Sequence, residues 1–342
     1  MASNTHPNPS HIMQVGTGFF ATKTLLSAVE LGLFSRLAAG PKTGVQLQRE
    51  LELNPRATAD FLDALVALGF LSRQGDSVVG TYGNTADTDA FLDRAKPTYV
   101  GGMLEFCNQR LYRIWGDLTQ ALRSGQPQSE MKSGESFFAA VYADEKRLEQ
   151  FLGAMAGIQM GAFAALSSKF DFSPYKTLCD VGGAGAALCT LLAGTHEHLS
   201  LTSFDLPVVA PIAERNIRQR GLQERISVAS GDFFADPLPR ADVIVMGNIL
   251  HDWNLEKKLH LLQAAYDALP AGGVLIAIEN IIDDARSQNA FGLLMSLNML
   301  LELGDGFDYT GADFAGWTRQ IGFKQTSVMP LAGPTSAAIA YK

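Results

Sequence analysis

Only three cysteines occur in 342 residues: Cys107, Cys179 and Cys189. An odd number without metal-ligand spacing argues against a disulfide framework and against a zinc site, so no metal is expected. Reduced thiols of this kind fit a cytoplasmic protein. Positive charge is also scarce. Lys and Arg number 27 against 35 Asp and Glu, a net charge of −8, which disfavours a nucleic-acid surface. No apolar run approaches the roughly 18 residues of a membrane span. The opening MASNTHPNPS has no basic stretch leading into an apolar core, so neither a membrane anchor nor a signal peptide is expected. What is present is ordinary for a globular protein: 47% apolar and 18% charged residues, in a chain long enough for two domains.

The chain changes character near residue 170. Before it, nearly everything reads as helix. Residues 19–39 carry apolar side chains at helical spacing without proline. TGVQ at 43–46 fits a capping box, with Thr43 capping and Gln46 reaching back. Asn54 and Pro55 suit an N-cap and first helical position, and the helix behind them ends at Gly69. SVVGTYGNT, 77–85, then reads as a short β wing, an order of elements that suggests a winged helix. A DNA reader needs basic and polar side chains facing the groove. The second helix offers Arg56, Asp60 and Asp63 among mainly apolar residues, a surface suited to a protein partner.

From residue 177 strands and helices alternate. TLCDVGG, LTSFDLP, RISVASGD, DVIVMGN and GGVLIAIEN read as five strands with helices between them. Residues 288–303 and 311–321 read as helices, and FKQTSVMPL with SAAIAYK as a closing hairpin. That alternation predicts a doubly wound, mainly parallel sheet, whose ligands bind beyond the carboxyl ends of the strands.

The first strand runs into DVGGAGAAL. Gly183 and Gly185 begin a G-x-G-x-x-G pattern that Leu188 leaves incomplete, and Asp205 follows twenty residues past Gly185, placed for ribose hydroxyls. Either NAD or S-adenosylmethionine fits. The missing third glycine weakens NAD, because it normally permits close packing beside a pyrophosphate. In SGDFF, Asp232 is placed to bond an adenine amino group and Phe233 to cover the ring. In VIVMGNILHDWN, a buried-looking strand runs straight into His251 and Asp252 at the ligand edge of the sheet.

DVGGAGAAL, FDLP, GDFF, GNILHDWN, IEN and GFDYTGADF stand in the order and spacing of the plant and bacterial small-molecule O-methyltransferases, a family similar to the caffeate, hydroxyindole and antibiotic-tailoring enzymes. The resemblance covers nearly the whole chain. LLSAVELGLFSRL, LDALVALGFLSR and LTQALRSGQP resemble the family's helical dimerisation domain. It implies an α/β, Rossmann-like methyltransferase sheet at 166–342, behind an all-helical, winged-helix-like dimerisation and substrate-lid domain at 1–165.

The resemblance also implies S-adenosylmethionine as cofactor, held by Asp180, Gly182, Gly183, Asp205, Leu206, Asp232, Phe233 and Gly247. His251 becomes the general base, flanked by Glu279 and Asp308. Two departures stand out: plant members have glutamate at the position of Asp308, and often a lysine at that of Gly247. Met155, Asp252, Asn298 and Met299 fall where acceptor contacts are expected, and Tyr112, Trp115, Phe151 and Phe163 are further candidates for the same pocket.

The expected reaction is methyl transfer to a hydroxyl of a small aromatic metabolite. C- or S-methylation of a small acid is the alternative on this scaffold. A thioether has no proton to lose and needs no base, so His251→Ala separates the two. A cofactor-binding regulator without turnover is the more distant alternative. A homodimer through the N-terminal half is expected from residues 11–39, which carry more apolar surface than one amphipathic face accounts for.

Overall fold

The structure is a computed structural model that describes residues 7–76, 79–133, 142 and 144–342. It divides into two compact units, Met1–Arg113 and Ile114–Lys342. The boundary expected between 165 and 166 falls inside one continuous helix, Glu145–Lys169. That helix buries Ala162, Phe163 and Leu166 in the core of the second unit, which is why it cannot end the first.

The first unit is helical, as expected, and also carries a small antiparallel sheet of β1 (Lys42–Thr43), β2 (Leu71–Gln74) and β3 (Thr81–Asn84) in the order β1-β3-β2. Two residues of the expected wing, 77 and 78, lie outside the described residues. The helix expected over 19–39 is divided into Phe19–Glu30 and Leu33–Leu37, because Gly32 adopts φ +69°. The Thr43 capping box forms as read, with Thr43 N donating to Gln46 Oε1 at 2.8 Å and Gln46 N to Thr43 Oγ1 at 3.3 Å. Leu33, Phe34, Leu37, Leu47, Leu62 and Tyr82 close the core of this unit. Ile12, Met13, Val15, Phe19 and Phe20 remain exposed.

The second unit contains a seven-stranded sheet of β4 (Thr177–Val181), β5 (Ser200–Asp205), β6 (Ile226–Ser230), β7 (Val243–Gly247), β8 (Val274–Glu279), β9 (Gln325–Pro330) and β10 (Ser336–Tyr341). The order is β6-β5-β4-β7-β8-β10-β9. The first five strands are parallel, and the expected terminal hairpin adds β10 antiparallel to β8. Helices cover both faces, giving two cores, one on each side. β8 is buried along its whole length, as its run of apolar residues between two helical layers requires. Strand order reverses between β4 and β7, where a doubly wound sheet opens a crevice at its carboxyl edge. Residues 147–169 are long and apolar enough to cross a membrane, contrary to the expectation that no such run exists.

Candidate active site

The crevice is built from strand ends. β4 delivers Asp180 and then the glycine turn. Gly182 takes φ +71°, and Ala184 and Ala186 follow at φ +50° and +61°, a conformation that side chains rarely adopt. The turn is held by backbone bonds: Gly182 N and Gly183 N both donate to Phe204 O, at 2.8 and 3.2 Å. Asp205, at the end of β5, accepts from Ala184 N (2.8 Å) on one carboxylate oxygen and from Leu206 N (2.7 Å) on the other. Burial pushes the Asp205 carboxyl up, and these two amides pull it back. Each oxygen keeps a second lone pair, which a ribose hydroxyl can fill. Asp180 is also buried, and burial together with Asp205 raises it to about 8.

The glycines fit a ligand because side chains there have no room. A Cβ on Gly183 would lie 2.4 Å from Ser203 Oγ, and one on Gly247 would lie 2.7 Å from Gln159 Oε1. Met155, Ala156, Gln159 and Phe163 line a cavity with Asp180, Gly182, Gly183, Ala184 and Gly247. Met155, expected on the acceptor side, therefore lies against the glycine turn. Gln159 was not foreseen, although positions 155, 159 and 163 share one helix face and could have signalled it. Further along, Asp232 is exposed, and its Oδ1 accepts from Phe234 N at 2.8 Å. Phe233 is half-buried, edge-on to Phe234 and Trp253. Tyr142 was also missed. It packs against Leu148, Leu152, Val209 and Ile212, and burial, then the charges of Asp205 and Asp252, push its phenol well up.

Beyond β7, Asn248 turns the chain at φ +53°, and His251 follows in a short 3-10 turn, Leu250–Asp252. Glu279, ending β8, accepts from Leu250 N (3.0 Å) and His251 N (3.3 Å) through Oε1 and so fixes that turn. Around the buried imidazole stand three carboxylates. Glu279 Oε2 lies 3.8 Å and Asp308 Oδ1 3.6 Å from Nδ1, and Asp252 Oδ1 lies 3.4 Å from Nε2. The shorter aspartate at 308 thus does reach the histidine, at ion-pair distance but beyond hydrogen-bond range. Burial pulls the imidazole down, but Glu279, Asp252 and Asp308 outweigh it and hold it at about 10. Burial raises Glu279 to about 7 and Asp252 to about 6, each partly offset by His251.

The remaining expected contacts are held by their own packing and hydrogen bonds. Asn298 is buried, accepting from Trp115 Nε1 and donating to Glu302 Oε1, both at 2.9 Å. Met299 is buried beside it. Tyr112 belongs to the first unit, in a pocket with Phe19, Phe20 and Phe61, and Phe151 packs against Leu148 and Val209.

Residues 115–324 match the O-methyltransferase domain, and residues 13–94 match the O-methyltransferase dimerisation domain. The chain is 39% identical to the tetracenomycin polyketide synthesis 8-O-methyl transferase TcmO of Streptomyces glaucescens, over 100% of this chain and 99% of that one. It is 34% identical to the N,N-dimethyltransferase OxyT of Streptomyces rimosus, over 92% and 90%. Among solved structures, human N-acetylserotonin methyltransferase in complex with S-adenosylmethionine superposes with a TM-score of 0.91 at 29% identity, over 100% and 99%. With this match along the full length, the chain belongs to the O-methyltransferase family as an S-adenosylmethionine-dependent enzyme.

Proposed function

We propose that this enzyme methylates a phenolic hydroxyl of a fused-ring aromatic metabolite, with His251 as general base. The observation that carries the reading is the encirclement of one buried imidazole by Glu279, Asp308 and Asp252 at the carboxyl edge of the sheet. Asp205 and Leu206 hold the ribose end of the cofactor, Asp232 and Phe233 the adenine end, and Asp180, Gly182, Gly183 and Gly247 the methionine end. S-adenosylmethionine supplies a methyl group on a positively charged sulfur, which leaves as a neutral thioether. Glu279 and Asp308 face Nδ1 and orient the ring, so that Nε2 accepts the hydroxyl proton. In the protein alone the surplus of carboxylates keeps this imidazole protonated at neutral pH. A cationic ligand beside it adds positive charge and lowers its proton affinity. The acid-rich site is thereby matched to a positively charged cofactor.

The likeness to an 8-O-methyl transferase of polyketide synthesis favours a polycyclic phenol. The likeness to an N,N-dimethyltransferase supports an aromatic amine as second reading, since an amine also has a proton to give up. Purified enzyme with S-adenosylmethionine and a panel of a hydroxynaphthoate, a polycyclic polyketide phenol, N-acetylserotonin, an aromatic amine and a thioether acid decides. The expected products are a methyl ether and S-adenosylhomocysteine. Turnover of the thioether acid alone would overturn the reading.

We further propose a homodimer through the exposed face of Ile12, Met13, Val15, Phe19 and Phe20, with residues 1–113 serving association and 114–342 catalysis. Leu26, Val29, Leu33, Phe34 and Leu37 are already buried within their own unit and do not contribute. Phe19→Glu with Phe20→Glu should give a folded monomer at micromolar concentration by light scattering. A double variant that stays dimeric would overturn this assignment.

A further inference from the structure

Lys258 is a buried charge that the chemistry above leaves unused. It lies on the helix Leu255–Ala268 with no exposure to solvent. Burying an ammonium is costly unless hydrogen bonds and opposite charge offset it. A methionine of similar length would fill the space without that cost, so packing alone does not account for lysine here.

Its contacts select the two segments that carry the catalytic cluster. The ammonium donates to the carbonyl of Trp253, which directly follows His251 and Asp252. It stands 3.6 Å from the centre of the Phe307 ring and 5.9 Å from that of Tyr309, the two residues that bracket Asp308. The segments meet closely: a Cβ on Gly306 would lie 2.7 Å from Asp252 O and 2.8 Å from His251 O. Asp252, Glu279 and Asp308 face the imidazole, and the same three acids with Asp305 act on Lys258.

We infer that Lys258 is a positioning residue for methyl transfer: it pins the His251–Trp253 turn to residues 307–309 and supplies a buried positive charge that counters the carboxylates around His251. The inference rests on His251 being the base. Three carboxylates beside one imidazole favour keeping its proton, and a cation behind them favours releasing it. Burial draws Lys258 down to about 8 against the pull of the four acids, so its charge is present at neutral pH.

Lys258→Met removes the charge and keeps the length. His251 is followed by NMR titration of histidine-labelled protein without cofactor, and by the pH dependence of methyl transfer to the acceptor found in the panel. Both should move alkaline by about one pH unit, with about tenfold less turnover at pH 7. If the methionine variant fails to fold, Lys258→Gln, which retains a donor for the Trp253 carbonyl, gives the same readings. A lower melting temperature with both titrations unmoved overturns the inference and leaves Lys258 as packing. Full turnover in His251→Ala withdraws the base assignment and this inference with it, whereas unmoved titrations in Lys258→Met withdraw this inference alone.

Discussion

Two stretches of one sheet edge handle buried acid in opposite ways. Beyond β4 and β5, both oxygens of Asp205 accept backbone amides, and the glycine turn they hold is locked to β5. Beyond β7 and β8, neither oxygen of Asp308 has a hydrogen-bond donor among the described residues, nor has Glu279 Oε2, and Nδ1 of His251 is likewise unpaired. Buried polar groups are normally satisfied, so unpaired ones mark either strain or work. The first stretch is finished before ligand arrives, as suits a binding surface. The second leaves buried polar atoms without hydrogen-bond partners among the described residues, at the place where the proposed proton transfer would occur. On the proposed reading, cofactor binding is preorganised by backbone, and proton transfer by side-chain charge.

Removing His251 should break the charged end most severely. With the phenolic acceptor, His251→Ala should cost about 10²–10⁴-fold in kcat and leave cofactor affinity within a few-fold by calorimetry. A loss of less than about tenfold would mean that no proton transfer is assisted there.

At the preorganised end, Asp205→Ala strands the Ala184 and Leu206 amides as well as the ribose hydroxyls. Each unpaired buried group is worth about 1–3 kcal/mol, so S-adenosylmethionine should bind at least about tenfold more weakly. The melting temperature of the protein alone should fall as well, because the same carboxylate ties the turn to β5. Unchanged affinity would place the cofactor elsewhere.

The smallest effect concerns Asp180, which is buried beside Asp205. Its folded pKa, about 8, lies above its ordinary 3.8. The neutral acid's contribution is therefore complete below 3.8 and lost as pH rises through about 8. Asp180→Asn should raise the melting temperature by about 2–4 °C at pH 9, with the gain shrinking toward pH 5. An equal gain at both pH values would show that charge is not its cause. Cofactor affinity should fall in the same variant.

The parallel strands were legible because apolar runs ending in Gly, Asp or Glu alternate with helix-period segments over 177–279. The candidate acids Asp205 and Glu279 stand out by their place at strand ends, whereas Asp308 stands out only through the family resemblance. What local pattern concealed was which groups meet. Lys258 sits in LEKKLHLL, where one lysine of a pair is exposed and the other has no exposure, and helical periodicity assigned neither to the catalytic cluster. Asn298 lies in a segment expected to touch acceptor, and local pattern does not show that Trp115, 183 positions away in the chain, donates to its side-chain oxygen. The unit boundary was misplaced for a similar reason. Helical character persists to Lys169, while burial against the sheet begins earlier.

By itself, then, the sequence determined the order of elements, the turn at 182–186 and the presence of a histidine and acids at the ligand edge. These follow from periodicity and backbone preference, which act over a few residues. Tertiary structure alone decided that Asp252 joins Glu279 and Asp308 around His251, and that Lys258 is buried against Trp253 and Phe307 behind them. Charges far apart in the chain interact strongly only after water has been excluded from between them.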